Sequence, residues 1–234
     1  MNEEYNEQLN VEPVETSAPA PQENKVDIGG WLKYAWNLFV TDVIKFMVAA
    51  LIVSVISVVT CLILAGPMSV GFFKCVLKKM RGEDFEYGDL FDGVKTQFLP
   101  AFILSLAAFV VIGIVQVFNL IPIVGQIVAF IAQVAIALLV NYLYLQIAEA
   151  EETVPIDRLF DMGKAIIAKT QPEMVMFFVW ALVISIITGI GVVACCVGVF
   201  ATVAIAMIAT AKSYVDVIKD DSQIDVVAEE VSVE

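Results

Sequence analysis

Acidic side chains are the residues of this chain best suited to chemistry, and they fall in two segments between long apolar runs. One group is Glu83, Asp84, Glu86, Asp89 and Asp92, and the other is Glu149, Glu151, Glu152, Asp157 and Asp161. Neighbouring carboxylates can act as general acid and base or bind a divalent cation. Their spacing matches no calcium-binding loop, and solvated loops commonly carry such charges. We therefore assign no catalytic residue and no metal ligand.

The chain contains no histidine, which excludes Ser-His and Cys-His catalysis and histidine-based metal sites. Its four cysteines are Cys61, Cys75, Cys195 and Cys196. The adjacent pair lacks the two-residue spacer of a thiolate metal site. A disulfide from Cys61 to this pair is one alternative, and packing as small apolar residues is the favoured one. Without a glycine-rich phosphate loop or a nucleophile elbow, the sequence predicts no enzyme and no cofactor.

A cluster of basic residues follows the first long apolar run of the chain, Phe46–Phe73. Lys78, Lys79 and Arg81 lie together, and Lys74 precedes them by one to two helical turns. A lysine stem is long enough to carry its ammonium from the edge of the bilayer to the interface. Juxtamembrane cations attract anionic lipids by about 1 kcal/mol each. These four residues are therefore candidate contacts for lipid phosphate.

Three uncharged polar residues interrupt the middle apolar run, namely Gln116, Gln133 and Asn141. Interhelical hydrogen bonds, worth about 0.6 kcal/mol each in membranes, explain them without a substrate. The alternative is an intramembrane polar site that these residues form with Lys74. That alternative requires all four side chains to converge on one cavity.

The elements that position these residues are dominated by uncharged runs at Phe46–Phe73, Leu99–Ala148 and Met174–Ala211. One bilayer crossing takes about 20 residues, and a charge at its centre costs at least about 2.5 kcal/mol. Apolar residues make up 60% of the chain, above the roughly 45–50% of soluble domains. The sequence therefore predicts an all-α, polytopic helical membrane protein.

Turn signals divide each run into a hairpin. They lie at Ala65–Pro67, Asn119–Gln126 and Thr188–Gly198, and none carries a charge. We predict about six spans in three hairpins. A five-span arrangement with residues 68–81 on the surface is disfavoured, because it places three lysines near the N-terminus on the outer side.

Amphipathic segments precede the runs and are predicted to form interfacial helices. In the first of them Lys33, Asn37, Thr41 and Lys45 recur every four residues as one polar stripe. Leu90-Phe91-Asp92 before the second run is repeated as Leu159-Phe160-Asp161 before the third. The candidate repeats are 30–81, 87–148 and 155–214.

The ends of the chain account for its acidity. Residues 1–27 and 216–234 are predicted to be disordered acidic tails that flank an integral membrane domain at 28–215. No apolar segment of a cleavable signal peptide begins the chain. All 13 Lys and Arg lie on or near the side of the termini, so the positive-inside rule predicts that both termini are cytoplasmic.

Three motifs carry a resemblance to known proteins: Gly66-Pro67-Met68-Ser69-Val70-Gly71, Arg81-Gly82-Glu83 and Asp89-Leu90-Phe91-Asp92-Gly93-Val94. The pattern resembles several families of uncharacterised prokaryotic multi-pass proteins and the membrane domain of some glycerophosphodiester phosphodiesterases. It covers Trp31–Val94 and returns loosely at Leu159–Tyr214. The resemblance implies a helical domain with duplicated hairpins in a prokaryotic plasma (inner) membrane. It implies no phosphodiesterase activity, because the chain has no catalytic domain.

These observations favour a non-catalytic membrane protein. The leading hypothesis is a scaffold or accessory subunit that organises lipid or protein partners at the cytoplasmic face. The alternative is a small permease or lipid-handling protein. The predicted partners are the bilayer with its anionic lipids and a second polypeptide or another copy of the chain, and no nucleic acid.

Overall fold

The computed structural model describes residues 26–193 and 195–219, and within these ranges the chain is all-α, without a β-strand. The helices are α1 (Ile28–Thr41), α2 (Val43–Val59), α3 (Ala65–Met80), α4 (Asp92–Thr96), α5 (Phe98–Gln116), α6 (Val124–Glu149), α7 (Ile156–Thr170), α8 (Met174–Val193) and α9 (Cys195–Tyr214). Short 3₁₀ turns lie at Tyr87–Phe91, Val117–Leu120 and Gln171–Glu173, and a π turn at Val215–Lys219 extends α9. The predicted fold class is confirmed.

Three antiparallel helix pairs organise the described chain: α2 with α3, α5 with α6, and α8 with α9. Each pair is marked by a contact between residues far apart in sequence: Lys79–Asp42 (2.5 Å), Ser105–Tyr144 (2.8 Å) and Trp180–Ser213 (3.2 Å). The predicted hairpins are therefore present as helical pairs.

By length and composition, three described segments are able to cross a bilayer: Phe98–Leu120, Val124–Glu149 and Gly198–Lys219. Two more spans result if each bent pair, α1 with α2 (97°) and α7 with α8 (107°), counts as one. The total of three to five is lower than the predicted six. Helix α3 contributes to the difference because its 16 residues cover only about 24 Å, less than the hydrocarbon core of about 30 Å.

Helix α3 is the central helix of the bundle rather than a lipid-facing span. Ten of its 16 residues are buried, and it packs against α2, α5, α6 and α9. Helix α5 has the opposite character, since Phe109 is 70% and Ile114 is 61% exposed. A helix that is apolar on all sides suits lipid contact. The sequence predicted both helices as spans without distinguishing these two environments.

The first predicted turn, Ala65–Pro67, is wrong. The chain reverses earlier, where Cys61 and Leu62 take φ values of +50° and +68°, and α3 already begins at Ala65. Pro67 is tolerated in the first helical turn because backbone N–H groups there need no partner within the helix. Gly66 serves packing, since an added Cβ would come within 1.8 Å of a serine hydroxyl on α5.

The second predicted turn is confirmed, and the third is displaced along the chain. Between α5 and α6 the chain reverses just before Val124, with Ile123 at φ +66°, which confirms the prediction. The third predicted turn begins too early, because Thr188 and Gly189 lie inside α8. Residue 194, between α8 and α9, lies outside the described residues.

Helix α1 has the predicted amphipathic face. Asp27 caps its first turn by accepting a hydrogen bond from the Gly30 N–H (2.9 Å). Trp31, Ala35 and Phe39 are buried at a spacing of four residues, and Lys33, Asn37 and Thr41 of the predicted polar stripe are exposed. The fourth predicted member, Lys45, lies in α2 and is half-buried, because the helix ends before it. The 97° bend to α2 is the geometry expected of an interfacial helix beside a span, and its place at a membrane interface stays a prediction.

The two copies of Leu-Phe-Asp adopt different structures. Leu90 lies fully buried in a 3₁₀ turn, whereas Leu159 is half-buried in the 15-residue helix α7. The internal repeat therefore stays a prediction.

The first and last described residues can be compared with the predicted boundaries of the membrane domain, 28–215. Residues 1–25 and 220–234, the larger parts of the predicted tails, lie outside the described residues. Val26 is buried, as are Val217 and Ile218. In the structure the packed domain therefore begins before residue 28 and continues past residue 215.

Candidate functional site

Charged side chains from several helices meet at one end of the bundle. Lys79, near the end of α3, pairs with Asp42 (2.5 Å) before α2 and with Asp84 (2.7 Å) in the following loop. Lys45 approaches Asp84 at 3.7 Å. The Lys79 hydrogen bond, with Lys45 nearby, lowers the pKa of the Asp84 carboxyl. We call this end, with its ion pairs, the charged end.

The 3₁₀ turn at Tyr87–Phe91 is held by a reciprocal cap. The Glu86 N–H donates to the Asp89 carboxylate (3.0 Å), while the Glu86 side chain accepts from the Asp89 N–H. Lys78 pairs with the same Asp89 carboxylate at 2.9 Å. Burial raises the pKa of Asp89, but the Glu86 N–H and Lys78 outweigh it, and the net pKa is lowered.

The cap and the ion pair of Asp89 make the free energy of unfolding depend on pH in the acidic range. A carboxyl whose pKa is lower in the folded chain stabilises the fold above about pH 4, and this contribution is lost as the pH falls through the folded-state pKa. We expect Asp89→Asn to lower the free energy of unfolding by about 1 kcal/mol at pH 7. The deficit should shrink as the pH falls below about 4, as measured by thermal unfolding in detergent.

The control for this prediction is Asp161→Asn, on the exposed side of α7. It should leave the unfolding midpoint close to that of the unchanged protein throughout the pH series. A deficit for Asp89→Asn that stays constant from pH 7 to pH 3 would contradict the assigned role of the carboxylate.

Two of the three motifs that carry the family resemblance pack directly on each other. A Cβ at Gly71 of α3 would lie 1.8 Å from the carbonyl oxygen of Leu90. A Cβ at Gly93 of α4 would lie 2.2 Å from the carbonyl oxygen of Pro67. The two glycines let backbone touch backbone, which holds the 3₁₀ turn against the central helix.

Gln97 ties the start of α5 to the connection between α6 and α7. Its buried amide donates to the carbonyls of Ala150 (3.3 Å) and Glu152 (2.7 Å). Its side-chain oxygen accepts from the Val154 N–H (3.1 Å). No local sequence signal marks this residue, because all three partners lie more than 50 positions away.

A buried polar cluster joins the end of α9 to its neighbours. The Ser213 hydroxyl bonds with Tyr142 Oη (2.9 Å), accepts from Trp180 Nε1 (3.2 Å) and donates to the Thr210 carbonyl (2.9 Å). Trp180 also packs edge-to-face against Trp31, with ring centres 4.9 Å apart. This cluster anchors Ser213, and so positions the charged residues that follow Ser213 in the chain.

Those residues form two carboxylate-centred groups. In the first, Asp216 accepts from Trp31 Nε1 (2.8 Å) and pairs with Lys212, whose ammonium lies 5.3 Å from the centre of the Tyr34 ring. In this group a neutral donor and a lysine both engage the carboxylate.

The second group is centred on Glu149, the last residue of α6. It accepts from Tyr214 Oη (3.1 Å) and from the Lys219 ammonium (2.7 Å). The Arg81 guanidinium lies 3.8 Å from the same carboxylate, which is an ion pair longer than a hydrogen bond.

A cleft of about 350 Å³ opens between these groups. Its charged lining consists of Arg81, Lys212 and Lys219 with the single carboxylate of Glu149, and its apolar lining consists of Leu77, Met80 and Val215. No residue that α9 contributes to the cleft was predicted from the sequence as part of a site. The spacing of Lys212 and Asp216, four residues apart after the last apolar run, was the available signal.

The four candidate phosphate contacts do not form one cluster. Lys74 donates to the Thr96 hydroxyl (3.1 Å), and Lys78 and Lys79 are each paired with carboxylates. Of the four, Arg81 lines the cleft. Sequence proximity grouped these cations, whereas partners from other segments separate them.

The candidate intramembrane polar site is not assembled either. Gln116 accepts from Asn119 at the uncharged end of α5, about 28 Å along that helix from its start near Lys74. Asn141 donates to the Ala137 carbonyl of its own helix (2.9 Å). Gln133 is half-buried on α6, about 12 Å along the helix from Asn141.

Within the described residues, no three His, Cys, Asp or Glu side chains are grouped to hold a metal ion. Cys61 is exposed in the turn after α2, and Cys75 is buried in α3, while the side chains of Cys195 and Cys196 lie outside the description. The chemistry observed at the charged end is ion pairing between carboxylates and lysine or arginine side chains.

Comparisons with family models, with curated proteins and with solved structures found no match to this chain. The resemblance to the phosphodiesterase membrane domain accordingly stays a prediction.

Proposed function

We propose that this chain is a non-catalytic integral membrane protein, a scaffold or accessory subunit that holds lipid or protein partners at its charged end. The observation that carries the proposal is the gathering of ion pairs from α2, α3, α6 and α9 at one end of the bundle. The opposite turns, 60–64 and 117–123, contain no charged residue. A surface of mixed charge beside lipid-facing helices suits recognition of a polar partner at the membrane interface.

The same asymmetry supports an orientation. Basic residues concentrate on the cytoplasmic side of membrane proteins, so the charged end and both termini face the cytoplasm in this proposal. The host membrane is a prokaryotic plasma (inner) membrane, a placement that rests on the family resemblance.

The permease alternative loses support from the placement of its residues. Lys74, Gln116 and Asn141 have separate hydrogen-bond partners, and the first two lie towards opposite ends of the bundle. A transport site needs polar groups that converge near the bilayer midplane.

Cysteine labelling in sealed vesicles tests the orientation. Two single-cysteine proteins are compared, one that retains exposed Cys61 in the uncharged turn and one that carries Lys164→Cys on the exposed side of α7. In right-side-out vesicles an impermeant maleimide should label Cys61 and spare Lys164→Cys, and inverted vesicles should show the reverse. Labelling of both positions from the same side, or protection of Cys61 from both sides, would overturn the proposed orientation.

Native mass spectrometry of the gently extracted full chain tests the scaffold role. A second polypeptide or a second copy at fixed stoichiometry is the expected result for an accessory subunit. A monomer that retains neither protein nor lipid would contradict the proposal.

A further inference from the structure

The cleft at the charged end combines cations with an apolar wall, which are the two features that an anionic lipid requires. Arg81 enters from the end of α3, and Lys212 and Lys219 enter from α9 and its π-helical extension. Leu77 and Met80, on the last turn of α3, belong to the apolar wall together with Val215. A phosphate group can pair with the cations, and the start of an acyl chain can pack against the apolar wall.

The carboxylates near these cations are already engaged. Glu149 accepts hydrogen bonds from Tyr214 and Lys219, and Asp216, behind Lys212, accepts from Trp31 as well as from that lysine. These contacts fix both acids in place. Asp216 compensates the charge of Lys212 and Glu149 that of Lys219, so Arg81 supplies the remaining positive charge at the cleft.

Arg81 is the cation best placed to contact a ligand directly. Its side chain is 55% exposed, and its ion pair with Glu149 at 3.8 Å is too long to use an N–H donor. A guanidinium has five such donors in a planar fork that matches two phosphate oxygens. The guanidinium N–H groups of Arg81 are therefore available to donate hydrogen bonds to a ligand in the cleft.

We propose that this cleft binds the phosphate headgroup of an anionic lipid, with Arg81 as its principal ligand and Leu77 and Met80 beside the glycerol and upper acyl chain. The proposal rests on the proposed function, since it names lipid as the partner held at the charged end. Free phosphate has the same anionic chemistry, but it makes no use of the apolar wall.

The test titrates the full chain in phosphatidylcholine micelles with phosphatidylglycerol and follows the thermal unfolding midpoint. Phosphatidylglycerol should raise the midpoint to saturation. Arg81→Gln should raise the half-saturating fraction of phosphatidylglycerol about tenfold, the effect of losing one charge-assisted hydrogen bond.

Arg158→Gln is the matched control, because it removes the same charge from an exposed position on α7. It should leave the half-saturating fraction unchanged, and an equal effect of both variants would overturn the site in favour of diffuse charge attraction. Equal stabilisation by inorganic phosphate would overturn the lipid in favour of a soluble phosphate ligand. If vesicle labelling supports the orientation but no anion stabilises the protein, the headgroup site fails while the scaffold proposal survives.

Discussion

Alanine at Gly71 or Gly93 is expected to lower the free energy of unfolding by about 2 kcal/mol or more, and the thermal midpoint by roughly 5 °C. An added Cβ would meet a backbone carbonyl oxygen at 1.8 Å from Gly71 or at 2.2 Å from Gly93. Backbone cannot rotate away as a flexible side chain can, so α4 and the 3₁₀ turn must move off α3. This loss outweighs the gain of about 1 kcal/mol that alanine brings to a helix. Thermal unfolding of the purified protein in detergent, followed by tryptophan fluorescence, measures the effect.

Gly88→Ala is the matched control for both variants. Gly88 lies in the adjoining 3₁₀ turn, and an added Cβ there meets no atom within 4 Å. Its midpoint should equal or slightly exceed that of the unchanged protein. If all three variants unfold at the same temperature, the contact between the two motifs does not stabilise the fold.

Removal of the Gln97 side chain should have a comparable effect. Gln97→Ala deletes three hydrogen bonds and leaves the buried Val154 N–H without its partner. An unsatisfied buried group costs about 1–3 kcal/mol, so we expect a loss near 3 kcal/mol in the free energy of unfolding. The connection between α6 and α7 should also become more sensitive to protease, because this amide holds it against α5.

Gln116→Ala supplies the control, since it removes the same side chain from the exposed end of the same helix. Its effect should be within about 0.5 kcal/mol of zero, as for most surface substitutions. Equal losses in the free energy of unfolding from the two glutamine variants would show that the hydrogen bonds of Gln97 do not stabilise the fold. Faster cleavage near residue 153 in Gln97→Ala alone would identify the connection as the part released.

The sequence by itself determined the helical membrane class and the limits of several helices. Long uncharged runs specify α5 and α6 to within a few residues, because bilayer solvation acts on each segment separately. The four-residue spacing in α1 likewise specifies which face is buried, since helical periodicity is a local property.

Only the tertiary structure decided the role of α3 and the position of the cleft. The Gly66-Pro67 pair looks like a turn in isolation, but it becomes part of a buried helix because α5 packs against Gly66. Lys79 pairs with Asp42 before α2, and Arg81 instead lines the cleft with Lys212 and Lys219 from the end of the chain's last described helix. Such pairings depend on contacts between residues far apart in the chain, which local propensity and periodicity do not encode.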